Sequence, residues 1–380
     1  MTTAALDLAT ARAQLSTLRT QMKGAFVARD AEIDGLLLAL LARTHVLLLG
    51  PPGTAKSLVT QVFAGALGGD YFQRLLTAFT APEELFGPYD LAALDAGRYE
   101  RAVQGYLPTA TVAFCDEVFK ANSAILNSLL TVLNERQFDN GTARLQLPLE
   151  LCVGASNEYP EDASLEALYD RFTLRYWTQY VPTRAGRLAL LTAADPAKAV
   201  TAKLAPEAVQ ALQQAVRDVV VPQAVLELLC DVADKLAKDN GITVSDRRLR
   251  GMVRLLQASA ALDGRDTATA RDLLVLADSV WHRHEQRPAV LATVMAVAAP
   301  QLAAATKLAD SAREVYDAVK DVQGDGARAL QRIKAIEAEL AALGLDDGDV
   351  AACHAQVTEL RKGLARRFMA ASGLGVGLAG

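Results

Sequence analysis

The residues best suited to chemistry stand at 50 to 57: Gly50-Pro51-Pro52-Gly53-Thr54-Ala55-Lys56-Ser57. They follow the apolar run His45-Val46-Leu47-Leu48-Leu49, so a buried strand feeds a glycine-rich turn and Lys56-Ser57 open a helix. Backbone N–H groups of such a turn point inward and cradle phosphate oxygens, and the helix N-terminus adds partial positive charge. Lys56 is expected to reach the β- and γ-phosphates and Ser57 to hold Mg²⁺. The general pattern has Gly directly before the Lys, whereas this chain has Ala55.

Further along, Val112-Ala113-Phe114-Cys115-Asp116-Glu117 reads as an apolar strand ending in two adjacent acids. Beside a phosphate loop, Asp116 can bind Mg²⁺ and Glu117 can orient and polarise an attacking water. A second strand end, Gly154-Ala155-Ser156-Asn157, offers an amide. It could meet the γ-phosphate or the water, or simply cap the next turn. Asp170-Arg171-Phe172 closes a short helix. Arg171 suits the helix dipole there, or a nucleotide held by a neighbouring subunit, with Arg175 on the following strand as the alternative. Ser245-Asp246-Arg247-Arg248 sits at a helix start that Ser245 can cap. An Arg in a first turn opposes the dipole, so a partner such as phosphate is expected.

The elements that must position these residues follow from apolar periodicity. Two helices are expected over 4–42, the second with a stripe of Ile33, Leu36, Leu37, Leu40 and Leu41. Strands are expected at 45–49, 72–76, 111–114, 149–155 and 172–180, and helices after the loop, over 122–135 and over 165–171. Asn140-Gly141 signals a hairpin, and 81–110 is loop-rich. This alternation argues an α/β fold with a parallel sheet sandwiched by helices. After Pro182 the chain turns almost entirely helical. The expected domains are 1–183, N-terminal helices and nucleotide-binding core; 184–288, an all-α lid; 289–371, a C-terminal helical bundle or docking segment; and 372–380, a glycine-rich disordered tail. Breaks are expected at 321–326 and 344–348, and 289–305 is expected to be a buried helix.

Composition narrows the function. The net charge is −5 and aromatics are only 6%, which argues against a basic field or stacking platforms for nucleic acid. Four cysteines stand far apart without metal or disulfide spacing, so a reducing cytoplasm is the expected compartment. No signal peptide and no membrane span are expected.

Over residues 20–285 the chain resembles an AAA+ ATPase, more narrowly the MoxR family, in which Ala before the Lys is ordinary. Leu85-Phe86-Gly87-Pro88, Gly105-Tyr106-Leu107-Pro108, Asp116-Glu117-Val118-Phe119-Lys120 and Leu129-Leu130-Thr131-Val132-Leu133-Asn134-Glu135-Arg136 carry the resemblance with the loop. So do the hairpin over 138–147, Gly154-Ala155-Ser156-Asn157-Glu158, Leu168-Tyr169-Asp170-Arg171-Phe172 and Val244-Ser245-Asp246-Arg247-Arg248. The loop, the Arg171 segment and the Arg247 segment lean toward the RavA-type subgroup. The resemblance implies ATP or ADP held by Gly50, Pro51, Pro52, Gly53, Thr54, Ala55, Lys56, Ser57, Leu58 and Arg247, with Mg²⁺ on Ser57 and Asp116. It implies Glu117 as the catalytic acid, Asn157 as sensor 1, Arg171 as the finger acting in trans and Arg247 as sensor 2. Arg248 competes for that last role. It further implies a homo-oligomeric ring, usually a hexamer, remodelling a client protein, with a von Willebrand A-type (vWA) partner. The competing readings are a nucleic-acid motor, a nucleotide-gated scaffold with little turnover, and a small-molecule kinase.

Overall fold

In a computed structural model of the protein, residues 7–160, 163–320, 322–345 and 347–371 are described. The expected tail over 372–380 lies outside them. The described chain forms two compact units, dividing between Val290 and Leu291.

The first unit opens with α1 (Leu8–Ala25) and α2 (Asp30–Ala42). Helix α2 is buried nearly all round, as its run of leucines requires. Strand β1 (Val46–Leu49) is buried at every position and leads through the phosphate loop into α3 (Lys56–Leu67). β2 (Tyr71–Leu75) follows. The loop-rich stretch carries two short helices, α4 (Pro82–Phe86) and α5 (Leu91–Asp95), each started by a residue that suits an N-terminus: Pro82 at the first position and Asp90 as cap. Next come β3 (Val112–Asp116), α6 (Ser123–Glu135) and the hairpin β4 (Gln137–Asn140) with β5 (Ala143–Gln146). The hairpin turns at Gly141, which takes φ +64°. β6 (Leu151–Ser156), α7 (Ala163–Tyr169) and β7 (Leu174–Trp177) complete the core.

Five strands form one wholly parallel sheet in the order β2-β3-β6-β1-β7. β1 lies between β6 and β7, so the loop leaves from the interior of the sheet. In such sheets ligands bind beyond the carboxyl ends of the strands. Those ends here carry residues 50–57, Asp116-Glu117 and Asn157.

Beyond β7 run α8 (Arg184–Thr192), α9 (Pro196–Ala199), α10 (Pro206–Asp218), α11 (Gln223–Asn240) and α12 (Asp246–Leu262), then a 3₁₀ stretch Ala270–Asp278. α10 packs on α1 and α2, and α12 packs on α2. The segment expected to be one buried helix over 289–305 is two, α13 (Arg287–Ala298) and α14 (Pro300–Ala318), because Pro300 lacks the N–H a continuous helix needs and starts a new one instead.

In the second unit α14, α15 (Val322–Ala342) and α16 (Gly348–Ala371) bury Ala309, Ile333, Ile336, Leu340, Val357 and Leu364 against one another. The break expected over 321–326 is a helix start. Gly324 and Gly326 lie in the opening turns of α15, where intrahelical bonds are fewest, and Asp325 suits the dipole there. Among the described residues no helix is long and apolar enough to cross a membrane.

Candidate nucleotide site and a second arginine cluster

The phosphate loop is fixed by backbone contacts as much as by its own sequence. Gly50 takes φ +133°, and a Cβ there would stand 2.1 Å from the Thr178 carbonyl oxygen, so no side chain fits. Its N–H donates to Ser156 O at 3.1 Å, tying the loop to β6. Gly53 takes φ +75° with open space around it. Ala55 also stands in the left-handed region, at φ +66°. That is the physical reason the general pattern has Gly at this position: an L side chain costs about 1–2 kcal/mol there.

Lys56 is buried, and its Nζ donates to Gly50 O at 2.5 Å, Pro51 O at 3.1 Å and Asn157 Oδ1 at 3.0 Å. Burial lowers its ammonium pKa, while Asp116 and Glu117 partly restore it, so both acids stand within its field. Asn157 Nδ2 donates to Glu117 Oε1 at 2.7 Å. One amide thus joins the loop lysine to the acid at the end of β3. Glu117 itself is left-handed, at φ +51°, and its N–H donates to Asp116 Oδ1 at 3.0 Å. Its Oε2 lies 3.4 Å from Lys120 Nζ, an ion-pair contact without hydrogen-bond alignment. A strained non-glycine residue locked by three neighbours is typical of a functional position. The hydroxyl of Ser57 and the carboxylate of Asp116 are hard oxygen donors, neither fully buried. Two such ligands suit Mg²⁺, which keeps waters and phosphate oxygens for its other positions.

Two features were not legible in the sequence. Arg29, buried, donates from Nε to Thr54 O at 2.9 Å and from Nη2 to Gln179 O at 2.7 Å, clamping the loop to the end of β7. Beside the loop opens a largely apolar cavity of about 320 Å³, lined by Phe26, Val27, Leu58, Tyr180, Val181 and Leu190 among others. Its position next to Gly53, Thr54 and Ala55 suits a nucleobase.

The four arginines singled out in the sequence lie elsewhere. Arg171 precedes β7, whose first residue Leu174 pairs with Val46, the first residue of β1. Lys56 follows the other end of β1. The two therefore stand at opposite ends of the parallel sheet, separated by about 10 Å of strand plus the flanking loops. Arg247 joins Arg171, not the phosphate loop of its own chain. Its Nη2 donates to Asp170 Oδ2 at 2.8 Å, and Arg248 Nη1 donates to Asp170 Oδ1 at 2.6 Å. The partner expected for arginines in a helix first turn is thus a carboxylate, and Ser245 caps the helix through Arg248 N at 3.4 Å. Burial pushes Asp170 up, but Arg248, Arg247 and Arg175 together hold it below the usual carboxylate range.

The two alternatives in each pair separate by exposure. Arg248 has 9% of its side chain exposed and also bonds the Ser279 carbonyl, whereas Arg247 is 65% exposed. Arg175 is fully buried, donating to Trp281 O at 2.5 Å and to Phe172 O and Tyr169 O at 3.2 Å, with its guanidinium 3.8 Å from the Tyr169 ring centre. Arg175 and Arg248 are internal ties. Arg171 and Arg247 face a cavity of about 190 Å³ whose other lining includes Arg43, Arg136 and Arg248, with Asp170 as the one carboxylate among the described residues that line it. Burial and the neighbouring Arg247 both lower the Arg171 pKa, a crowding that favours an incoming anion.

Comparisons with known proteins bear on the family and the fold. Residues 13–214 match the profile of the MoxR domain in the MoxR-vWA-beta-propeller ternary systems, and residues 224–294 match an AAA lid domain. Two uncharacterized proteins of Methanocaldococcus jannaschii are 38% identical over 269 residues and 36% identical over 279, covering 70% and 72% of each chain in turn. The chaperone MoxR1 of Mycobacterium tuberculosis is 24% identical over 279 residues, 69% of this chain and 73% of that one. The crystal structure of a candidate ATPase from Cytophaga hutchinsonii superposes with a TM-score of 0.63 at 18% identity, over 76% of this chain and 96% of that one, a likeness of fold. The chain belongs to the MoxR family of AAA+ ATPases.

Proposed function

We propose that the protein hydrolyses ATP at sites shared between neighbouring copies in a ring, and uses the cycle to remodel or mature a client protein. The observation that carries this reading is the separation of the two clusters. Lys56, Asp116, Glu117 and Asn157 stand at one end of the sheet and Arg171 with Arg247 at the other. One chain cannot bring both to a single phosphate, whereas a second copy supplies the arginines to the first copy's nucleotide. Phosphoryl transfer needs positioning and charge neutralisation above all. Gly50 to Leu58 hold the nucleotide, Glu117 orients the attacking water, Asn157 meets the γ-phosphate, and Arg171 and Arg247 arrive in trans. Ser57 and Asp116 would hold Mg²⁺, which would supply charge neutralisation for the phosphates.

For the partner we infer a protein with a vWA domain, in a system that also contains a β-propeller, as the matching family description states for its members. This association takes precedence over the RavA-type subgroup. The hexameric state, the chaperone role and the cytoplasmic setting belong to the same proposal, as does the division into core (1–183), lid (184–288) and C-terminal helices (289–371).

Mixing tests the shared site. Lys56→Ala and Arg171→Ala proteins should each lack ATPase activity, and an equimolar mixture should regain part of it, because some interfaces then pair an intact loop with an intact arginine. No recovery from two folded, assembling variants would sink the shared-site reading. A pull-down with Glu117→Gln in ATP should retain the vWA partner.

A further inference from the structure

We propose that Tyr159 is a positioning residue that couples the amide of Asn157 to the lid segment 282–284, so that phosphate binding at one end of a short turn is felt at the other. The inference rests on the ATPase reading above. Asn157 and Tyr159 share one stiff turn: Ser156 Oγ donates to Glu158 O at 2.8 Å and accepts Glu158 N–H at 3.1 Å. At the near end, Asn157 spans Lys56 and Glu117. At the far end, Tyr159 Oη accepts the His284 N–H at 2.8 Å and lies 2.7 Å from His284 Nδ1. Oη thus holds both the backbone N–H and the ring of His284, and which of Oη and Nδ1 donates follows the His284 tautomer. Burial pushes the phenol up to about 12, so the hydroxyl keeps its own proton at neutral pH.

Packing makes this end rigid. The Tyr159 ring stacks on Trp177 at 6.0 Å, His284 stacks on Trp177 at 3.8 Å, and the Arg283 guanidinium stands 5.3 Å from the Tyr159 ring centre. The same segment is anchored from its other side by Tyr169 Oη donating to His282 O at 2.7 Å and by Arg175 to Trp281 O. Residues 281–284 fall within the matched lid domain. A shift of Asn157 toward a bound phosphate must therefore either move this segment or break the Tyr159 bonds.

Trp177 sits in the stack and reports on it. In the full chain, Mg²⁺ with a non-hydrolysable ATP analogue should change tryptophan emission, and Trp177→Phe should abolish that change. Tyr159→Phe keeps the ring and loses both hydroxyl bonds. It should remove the emission change, leave analogue affinity by calorimetry and KM within about twofold, and lower kcat by about tenfold. His284→Ala is the second variant and should reproduce the kcat loss without adding to it in the double variant. Analogue binding with no emission change from Trp177, or a Tyr159→Phe protein with wild-type kcat, overturns the coupling alone. Failure of the wild-type protein to bind the analogue overturns the ATPase reading and the coupling with it.

Discussion

Asn157 and Glu117 are joined by a 2.7 Å hydrogen bond from the amide nitrogen to Oε1, across 40 residues of sequence. The carboxylate is thereby aimed before any substrate arrives, and the same amide takes a bond from Lys56 at 3.0 Å. Replacing Asn157 with Ala should lower kcat on the order of 10²-fold, the cost of losing one preorganised donor, with little change in nucleotide affinity. Steady-state hydrolysis beside calorimetric ATP binding separates the two effects. A variant that loses affinity but keeps kcat would show that Asn157 serves binding alone.

Arg247 and Arg248 are adjacent yet should behave in opposite ways. Removing Arg248 strips the half-buried Asp170 of its closer partner and should destabilise the fold by about 2 kcal/mol, below the range for a fully buried pair because Asp170 keeps some solvent. Removing the exposed Arg247 should change stability by less than about 0.5 kcal/mol. Its effect should appear in turnover of the assembled protein. Chemical denaturation and ATPase assays on both Ala variants check the split, and equal loss of stability would contradict it.

Ala55→Gly should stabilise the protein by about 0.5 kcal/mol, since relief of a left-handed side chain slightly exceeds the extra entropy Gly loses on folding. Thermal denaturation with and without nucleotide provides the check. A clear fall in the melting temperature would mean that the methyl group packs usefully.

The chemistry was legible in the sequence where function and local structure coincide. Gly50 to Ser57 announce a loop because strand, turn and helix fall in order, and Asp116-Glu117 announce a strand end. The order β2-β3-β6-β1-β7 was not legible, because periodicity reports which residues are buried and not which strands are neighbours. Arg29 was missed for a related reason. Its partners, Thr54 and Gln179, are 25 and 150 residues away, and nothing local distinguishes it from a surface arginine. The Arg171 and Arg247 motifs were visible, but their meeting at Asp170 depends on how the helices after β7 pack.

His45 gives a pH dependence with a definite sign. It is wholly buried, accepts the Cys152 N–H at Nδ1 (3.1 Å) and faces Leu133 O with Nε2 (2.9 Å), which fixes the Nε2–H tautomer. Burial first, then nearby Arg136, lowers its pKa to about 3, against the weaker pull of Leu133 O. The unfolded chain binds this proton at a higher pH than the folded one. The contribution is therefore intact above the unfolded value and is lost as pH falls toward 3, by up to about 1.4 kcal/mol per pH unit. Burial raises the carboxyl pKa of Glu32 and Asp278, which works in the opposite direction, so the readout is the difference between wild type and His45→Gln. Urea unfolding of both proteins between pH 7.5 and pH 5 should show the wild type falling faster; parallel slopes would refute the assignment.

Val46 in β1 pairs with Val153 on one side and Leu174 on the other. During synthesis the strand Val46–Leu49 leaves the ribosome long before either neighbour exists, so its backbone N–H and C=O edges lack strand partners and its apolar side chains lack cover while more than a hundred further residues are made. Folding of this sheet is dominated by distant pairings, which are slow and leave strands open to wrong partners. A nascent chain halted short of Leu174 has the complete octapeptide yet cannot close the sheet around it. Its dependence on general folding helpers should end only once Trp177 has emerged.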